Sequence, residues 1–79
     1  MEVMMEVPSI EGSKAEAATV VQWLKKEGDV VEKDEPLLVI EFPKTDFEIP
    51  APTSGRLTKI IARPGRMVRI HDKVGIIQK

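Results

Sequence analysis

Moved forward by 37 positions, residues 20–41 fall on residues 57–78, and that match constrains what this 79-residue chain can become. Val20-Val21-Gln22-Trp23-Leu24 lies over Leu57-Thr58-Lys59-Ile60-Ile61, Gly28 over Gly65, Val31 over Val68, and Leu37–Ile40 over Val74–Ile77. Neither copy of such a short unit can bury its apolar face alone, so the two halves are expected to stack around one core. A looser match at a shift of 42 sets Glu6-Val7-Pro8 over Glu48-Ile49-Pro50. The difference between 42 and 37 assigns five extra residues to the first half, in the stretch from Ser9 to Ala18.

The repeated unit reads as β. Nine Val and eight Ile against four Leu favour a pleated surface, where branched side chains pack well. Between turn signals, strands are predicted at Glu2–Val7, Thr19–Lys26, Val30–Val31, Leu37–Ile40, Asp46–Ile49, Arg56–Ala62, Met67–Ile70 and Gly75–Gln78. In the second, alternation puts Val21 and Trp23 on one face and Val20, Gln22 and Leu24 on the other. Residues 9–18 lack an apolar stripe of period 3.6 and are read as a loop. Eight short strands without a helix predict an all-β sandwich or flattened barrel, pseudo-two-fold and made of two four-stranded halves. Gly28 and Gly65 are expected at equivalent turns needing positive φ or close backbone approach, and Gly55 at the bend after Pro50-Ala51-Pro52.

Composition removes several classes of function. Twelve Lys and Arg nearly balance thirteen Asp and Glu, and they read as interspersed, so no footprint for nucleic acid or an anionic membrane is expected. With no cysteine, thiolate catalysis, disulfides and zinc–thiolate sites are excluded. No apolar run approaches spanning length, and Met1-Glu2 does not open a signal peptide, so residues 1–79 are expected to form a single soluble intracellular domain.

Lys44 is the candidate for chemistry. It stands in Glu41-Phe42-Pro43-Lys44-Thr45-Asp46-Phe47-Glu48, at a short reversal between two predicted strands and at the junction of the halves. A catalytic amine needs burial or neighbouring cations to discourage its ammonium form, whereas Glu41, Asp46 and Glu48 favour that form. A lysine held in solvent suits covalent modification, its flexible stem serving as a tether. His71 is the only histidine and has no partner for a metal site. Ser9, Ser13 and Ser54 have no nearby base. Trp23 is expected to be core or half-buried, and Met4-Met5 to be strand packing.

Together these residues resemble the lipoyl domains of 2-oxo acid dehydrogenase complexes, within the wider biotinyl/lipoyl superfamily. The resemblance rests on Lys25-Lys26-Glu27-Gly28-Asp29-Val30-Val31, Leu37-Leu38-Val39-Ile40-Glu41, the tip lysine, and Glu48-Ile49-Pro50-Ala51-Pro52 followed by Gly55. It implies a flattened eight-stranded barrel-sandwich hybrid of two four-stranded antiparallel sheets, with Lys44 carrying lipoic acid in amide linkage at a hairpin tip. It implies no catalysis by the domain itself, which would be part of a dihydrolipoyl acyltransferase. The implied partners are a lipoate ligase or lipoyl transferase, a thiamin-diphosphate-dependent 2-oxo acid decarboxylase, the acyltransferase catalytic domain and dihydrolipoyl dehydrogenase. The implied location is the bacterial cytoplasm or the mitochondrial matrix. In the family, the loop after the first strand helps partners choose their own domain; here that loop holds Glu11, Gly12, Ser13 and Lys14. The family usually has Asp before the lysine and often Ala after it, where this chain has Pro43 and Thr45, so these flanking positions bear on recognition by a modifying enzyme. Biotin is the less favoured cargo because methionines do not flank Lys44, and an unmodified interaction module is a third reading.

Overall fold

The computed structural model describes residues 1–9 and 14–79. Its strands are β1 (Glu2–Glu6), β2 (Ala17–Trp23), β3 (Val30–Val31), β4 (Pro36–Phe42), β5 (Thr45–Pro50), β6 (Gly55–Ile60), β7 (Met67–Arg69) and β8 (Lys73–Gln78). All eight expected strands are present. They form two antiparallel four-stranded sheets, a terminal sheet ordered β1-β8-β6-β3 and a tip sheet ordered β5-β4-β2-β7. The architecture is the expected barrel-sandwich hybrid, with its sheets stacked rather than closed into a full barrel.

The halves do not stack as separate sheets; they interleave, each sheet drawing two strands from each half. Four of the six strand pairings (β1 with β8, β3 with β6, β4 with β5 and β2 with β7) join one half to the other. A short strand such as β3, two residues long, offers too little ladder to close a sheet within its own half.

The pseudo-two-fold is visible bond by bond. Gly28 N–H donates to the Leu57 carbonyl at 2.7 Å, and Gly65 N–H to the Val20 carbonyl at 2.8 Å. Leu57 N–H donates to the Asp29 carbonyl and Val20 N–H to the Arg66 carbonyl, both at 2.9 Å. The Glu35 carboxylate accepts from Glu32 N–H at 3.0 Å, as the Asp72 carboxylate accepts from Arg69 N–H at 2.8 Å. These mates all obey the shift of 37. Gly28 and Gly65 hold φ of 97° and 90°, the left-handed region that a side chain disfavours.

The turn hydrogen bonds also revise the second shift. Val7 bonds His71 and Asp72 as Ala51 bonds Asp34 and Glu35, so Val7 corresponds to Ala51 and the true offset of β1 onto β5 is 44, not 42. The first half therefore carries seven extra residues rather than five. The similar triplets Glu6-Val7-Pro8 and Glu48-Ile49-Pro50 are not structural equivalents.

Alternation along β2 is also corrected. Val20 pairs with Ile40 but Gln22 pairs with Val39, so Val21 is the extra residue of a β-bulge. Val20 is buried, whereas Val21, Gln22 and Leu24 are all exposed. Its mate β6 is bulged at Thr58, where Leu57 pairs with Ile77 and Lys59 with Ile76. β2 also starts at Ala17, inside the stretch read as loop, and ends at Trp23.

The core between the sheets is apolar, with no buried polar or charged residue among those described. Leu37, Leu38, Ile40, Leu57, Val74 and Ile77 are fully buried, and each such side chain contributes about 1.5–3 kcal/mol relative to exposure. Met5 joins the core while Met4, beside it, faces outward. Trp23 is half-buried, and its indole N–H donates to the Ala62 carbonyl at 2.7 Å. A Cβ on Gly75 would meet that ring at 2.9 Å, and one on Gly55 would meet the Gln78 carbonyl oxygen at 2.5 Å, so both glycines stand where backbone and ring come close.

Candidate functional site

β4 and β5 pair from Pro36 opposite Pro50 to Phe42 opposite Thr45, leaving Pro43-Lys44 as a two-residue hairpin loop. The turns that match strand twist at this length need positive φ at the first central residue, which the proline ring forbids. Lys44 takes the positive φ instead, 73°. A negative φ followed by a positive one is the sign pattern of a type II turn, normally a site for Gly or Asn at the second position. The lysine thus stands in a conformation that costs a residue with a Cβ about 1–2 kcal/mol, held there by the ladder on either side.

The loop is exposed throughout: Pro43, Lys44, Thr45 and Asp46 all face solvent, while Phe42 anchors the root of the hairpin in the core. Among the described residues Lys44 forms no ion pair, despite the carboxylates of Glu41 and Asp46 along the same strands. The Thr45 hydroxyl donates locally to the Asp46 carbonyl at 3.3 Å. Among the described residues the amine is presented, uncommitted, at the end of the hairpin.

A cleft of about 750 Å³ opens beside the tip, lined on one side by Glu41 to Asp46 and on the other by Ala17, Ala18, Thr19 and Met67. It lies on the tip sheet, where β2 stands between β4 and β7. The segment leading into β2 runs along β7, since Ile70 N–H donates to the Glu16 carbonyl at 3.1 Å. The entry to β2 and Lys44 therefore border one cleft. Of the four positions expected to guide partner choice, Lys14 is exposed, and Glu11, Gly12 and Ser13 lie outside the described residues.

Two features escaped the reading of the sequence. Met67 is 70% exposed in the wall of this cleft, 23 positions after Lys44 in the chain, and only the β2–β7 pairing brings it there. The charges are also less mixed than they look, because residues 51–79 hold seven of the twelve Lys and Arg but only one of the thirteen Asp and Glu. The tip hairpin belongs to the acidic part, with Glu41, Asp46 and Glu48 exposed. Farther off, in the turn before β4, Glu32 N–H holds the Glu35 carboxyl below the ordinary carboxylate range. Partial burial opposes that effect, and Lys25, 3.3 Å away, adds to it.

The comparisons agree on the family, while solved structures of similar fold include the urea carboxylase of Kluyveromyces lactis, with a TM-score of 0.84 at 24% identity, covering 99% of this chain and 6% of that one. The family model described as "Biotin-requiring enzyme", for biotin and lipoyl attachment, matches residues 2–77. Over 79 residues the chain is 40% identical to the dihydrolipoyllysine-residue succinyltransferase component of the 2-oxoglutarate dehydrogenase complex of Rickettsia bellii. It covers all of this chain and 20% of that protein. Over 77 residues it is 39% identical to the acetyltransferase component of the pyruvate dehydrogenase complex of Corynebacterium glutamicum, covering 98% of this chain and 11% of that one. The chain thus spans a fifth or less of these relatives. Among solved structures, the lipoyl domain of the 2-oxoglutarate dehydrogenase complex of Azotobacter vinelandii superposes with a TM-score of 0.72 at 25% identity, covering 95% of this chain and 96% of that one.

Proposed function

This chain belongs to the biotin- and lipoyl-attachment family, and from that membership we propose that it is a lipoyl carrier domain with Lys44 as the attachment residue. The observation that carries the reading is the tip itself. An exposed lysine occupies the second position of a two-residue loop, free of ion pairs among the described residues. The surroundings fit a covalent group of this kind, because among the described residues the amine is exposed and the adjoining cleft leaves space around its stem. Lipoyl rather than biotin is favoured by relatives that are named as dihydrolipoyllysine-residue acyltransferase components.

When bound, a lipoyl group supplies a dithiolane able to accept an acyl group together with two electrons. The protein's part is positional. Amide formation removes the Lys44 charge, and the ladder from Phe42–Thr45 downward holds the root of the arm still. A tether of this sort delivers its cargo to neighbouring sites at high effective concentration. The partners on this reading are a lipoate ligase or lipoyl transferase, a thiamin-diphosphate-dependent 2-oxo acid decarboxylase, an acyltransferase catalytic domain and dihydrolipoyl dehydrogenase. The succinyltransferase relatives favour 2-oxoglutarate as the oxo acid served.

Intact-mass analysis after co-expression with a lipoate ligase and lipoate tests the assignment. The expected result is one lipoyl increment in the parent and none in Lys44→Arg. An increment that appears only with biotin ligase and biotin transfers the same lysine to the other cargo. An increment retained in Lys44→Arg removes Lys44 from the site.

A further inference from the structure

The cleft beside Lys44 runs across the tip sheet, and its far wall ends in Met67, an exposed thioether. Strand register sets Asp46 opposite Glu41, Glu41 opposite Thr19, and Thr19 opposite Met67, so the four share one row on the outer face of the tip sheet. With neighbouring strands about 4.8 Å apart, Met67 stands about 10 Å across the sheet from Glu41. Its thioether side chain is 70% exposed.

The pseudo-two-fold supplies an internal control. The corresponding row in the terminal sheet reads Glu2, Gln78, Arg56 and Val30. There the mate of Thr19 is Arg56, a long side chain whose guanidinium donates to the Gly28 carbonyl at 2.5 Å, in the turn leading to β3. At the tip the same position ends at a short hydroxyl side chain, with Ala17 and Ala18 beside it. Among the described residues, the open ground lies at the lysine end.

We infer that the cleft is a resting seat for the arm of Lys44, an inference that rests on the lipoyl reading above. In the unengaged domain the arm folds back across Thr19, and its ring lies against Met67. The chemistry is matched: Ala17 and Pro43 offer apolar contact to methylenes, and a thioether is a soft, polarisable partner for sulfur. Glu41 and Asp46 stay solvated at the rim and make no ion pair with a neutral arm. A partner enzyme must then draw the arm off the domain before using it.

The test is NMR of the domain labelled with 13C at methionine methyls, before and after lipoylation, with loading verified by intact mass. The expected result is a shift of the Met67 methyl and a nuclear Overhauser contact from it to the ring protons of the arm. Buried Met5 and terminal-sheet Met4 should stay in place. Thr19→Arg, which copies the terminal-sheet mate into this row and keeps the methyl probe, should abolish the Met67 contact to the ring. An unmoved Met67 methyl in a fully loaded sample overturns the seat alone. Absence of any lipoyl increment overturns the lipoyl reading and the seat with it.

Discussion

The β4–β5 tip and the β8–β1 end are the same place in the two halves, yet only one carries a candidate reactive residue. The symmetry operation that exchanges the sheets carries the tip hairpin onto the pairing of β8 with β1, where Lys79 N–H donates to the Met1 carbonyl at 2.9 Å. Backbone ladders, bulges at Val21 and Thr58, and turns at Gly28 and Gly65 repeat almost bond for bond. The difference lies in the side chains. Glu41 and Glu48 replace Gln78 and Met4, Thr19 replaces Arg56, and a two-residue loop joins strands that at the other end remain unjoined. Stability in this fold is shared between the halves, whereas the proposed function is written onto one end only.

That division can be broken experimentally, most severely in the core. Ile40 and Ile77 are symmetry mates, both fully buried, so Ile40→Ala and Ile77→Ala should each cost about 2–5 kcal/mol in chemical denaturation. Similar losses are expected from the two; a loss confined to one would show that the halves do not share the core equally. Next come the turns. Gly28→Ala and Gly65→Ala meet no atom within 4 Å, so their cost is conformational alone, about 1 kcal/mol each and nearly equal. Melts overlaying the parent would remove the need for positive φ there.

At the tip the sign should reverse. Lys44→Gly relieves the left-handed Cβ but loosens the unfolded chain, for a net gain of roughly 0.5 kcal/mol. No equivalent gain is expected at the other end, and a loss at position 44 would show that the turn is unstrained. The smallest effect is acidic. Because Glu35 titrates below its unfolded value, its contribution is present above the ordinary carboxylate pKa of about 4.3 and is lost as pH falls through the lowered one. Glu35→Gln should flatten that part of the acid limb in a pH series of melts; an unchanged limb would show that the Glu32 and Lys25 contacts contribute nothing measurable.

Strand number, turn glycines and the exposed lysine were legible because each depends on local spacing. The bulge at Val21 was not, since period-2 alternation presumes that no residue is extra, and pairing with β4 is what creates the extra one. The offset of 44 was hidden by a chance likeness of Glu6-Val7-Pro8 to Glu48-Ile49-Pro50. Interleaving of the halves depends on which strands pair across the chain, which composition does not encode. Met67 could not be linked to Lys44 without knowing that β2 lies between β4 and β7. Segregation of charge, by contrast, was available by counting either side of residue 50 and was masked by local mixing.

Reductive acylation most directly tests whether Lys44 carries a working acyl arm. The lipoylated domain would be incubated with a thiamin-diphosphate-dependent 2-oxoglutarate decarboxylase and 2-oxoglutarate, and in parallel with the pyruvate enzyme and pyruvate, then weighed intact. The expected result is an acyl increment on the domain, greater with the 2-oxoglutarate enzyme and absent in Lys44→Arg. A fully lipoylated domain that gains no acyl group from either enzyme would contradict it.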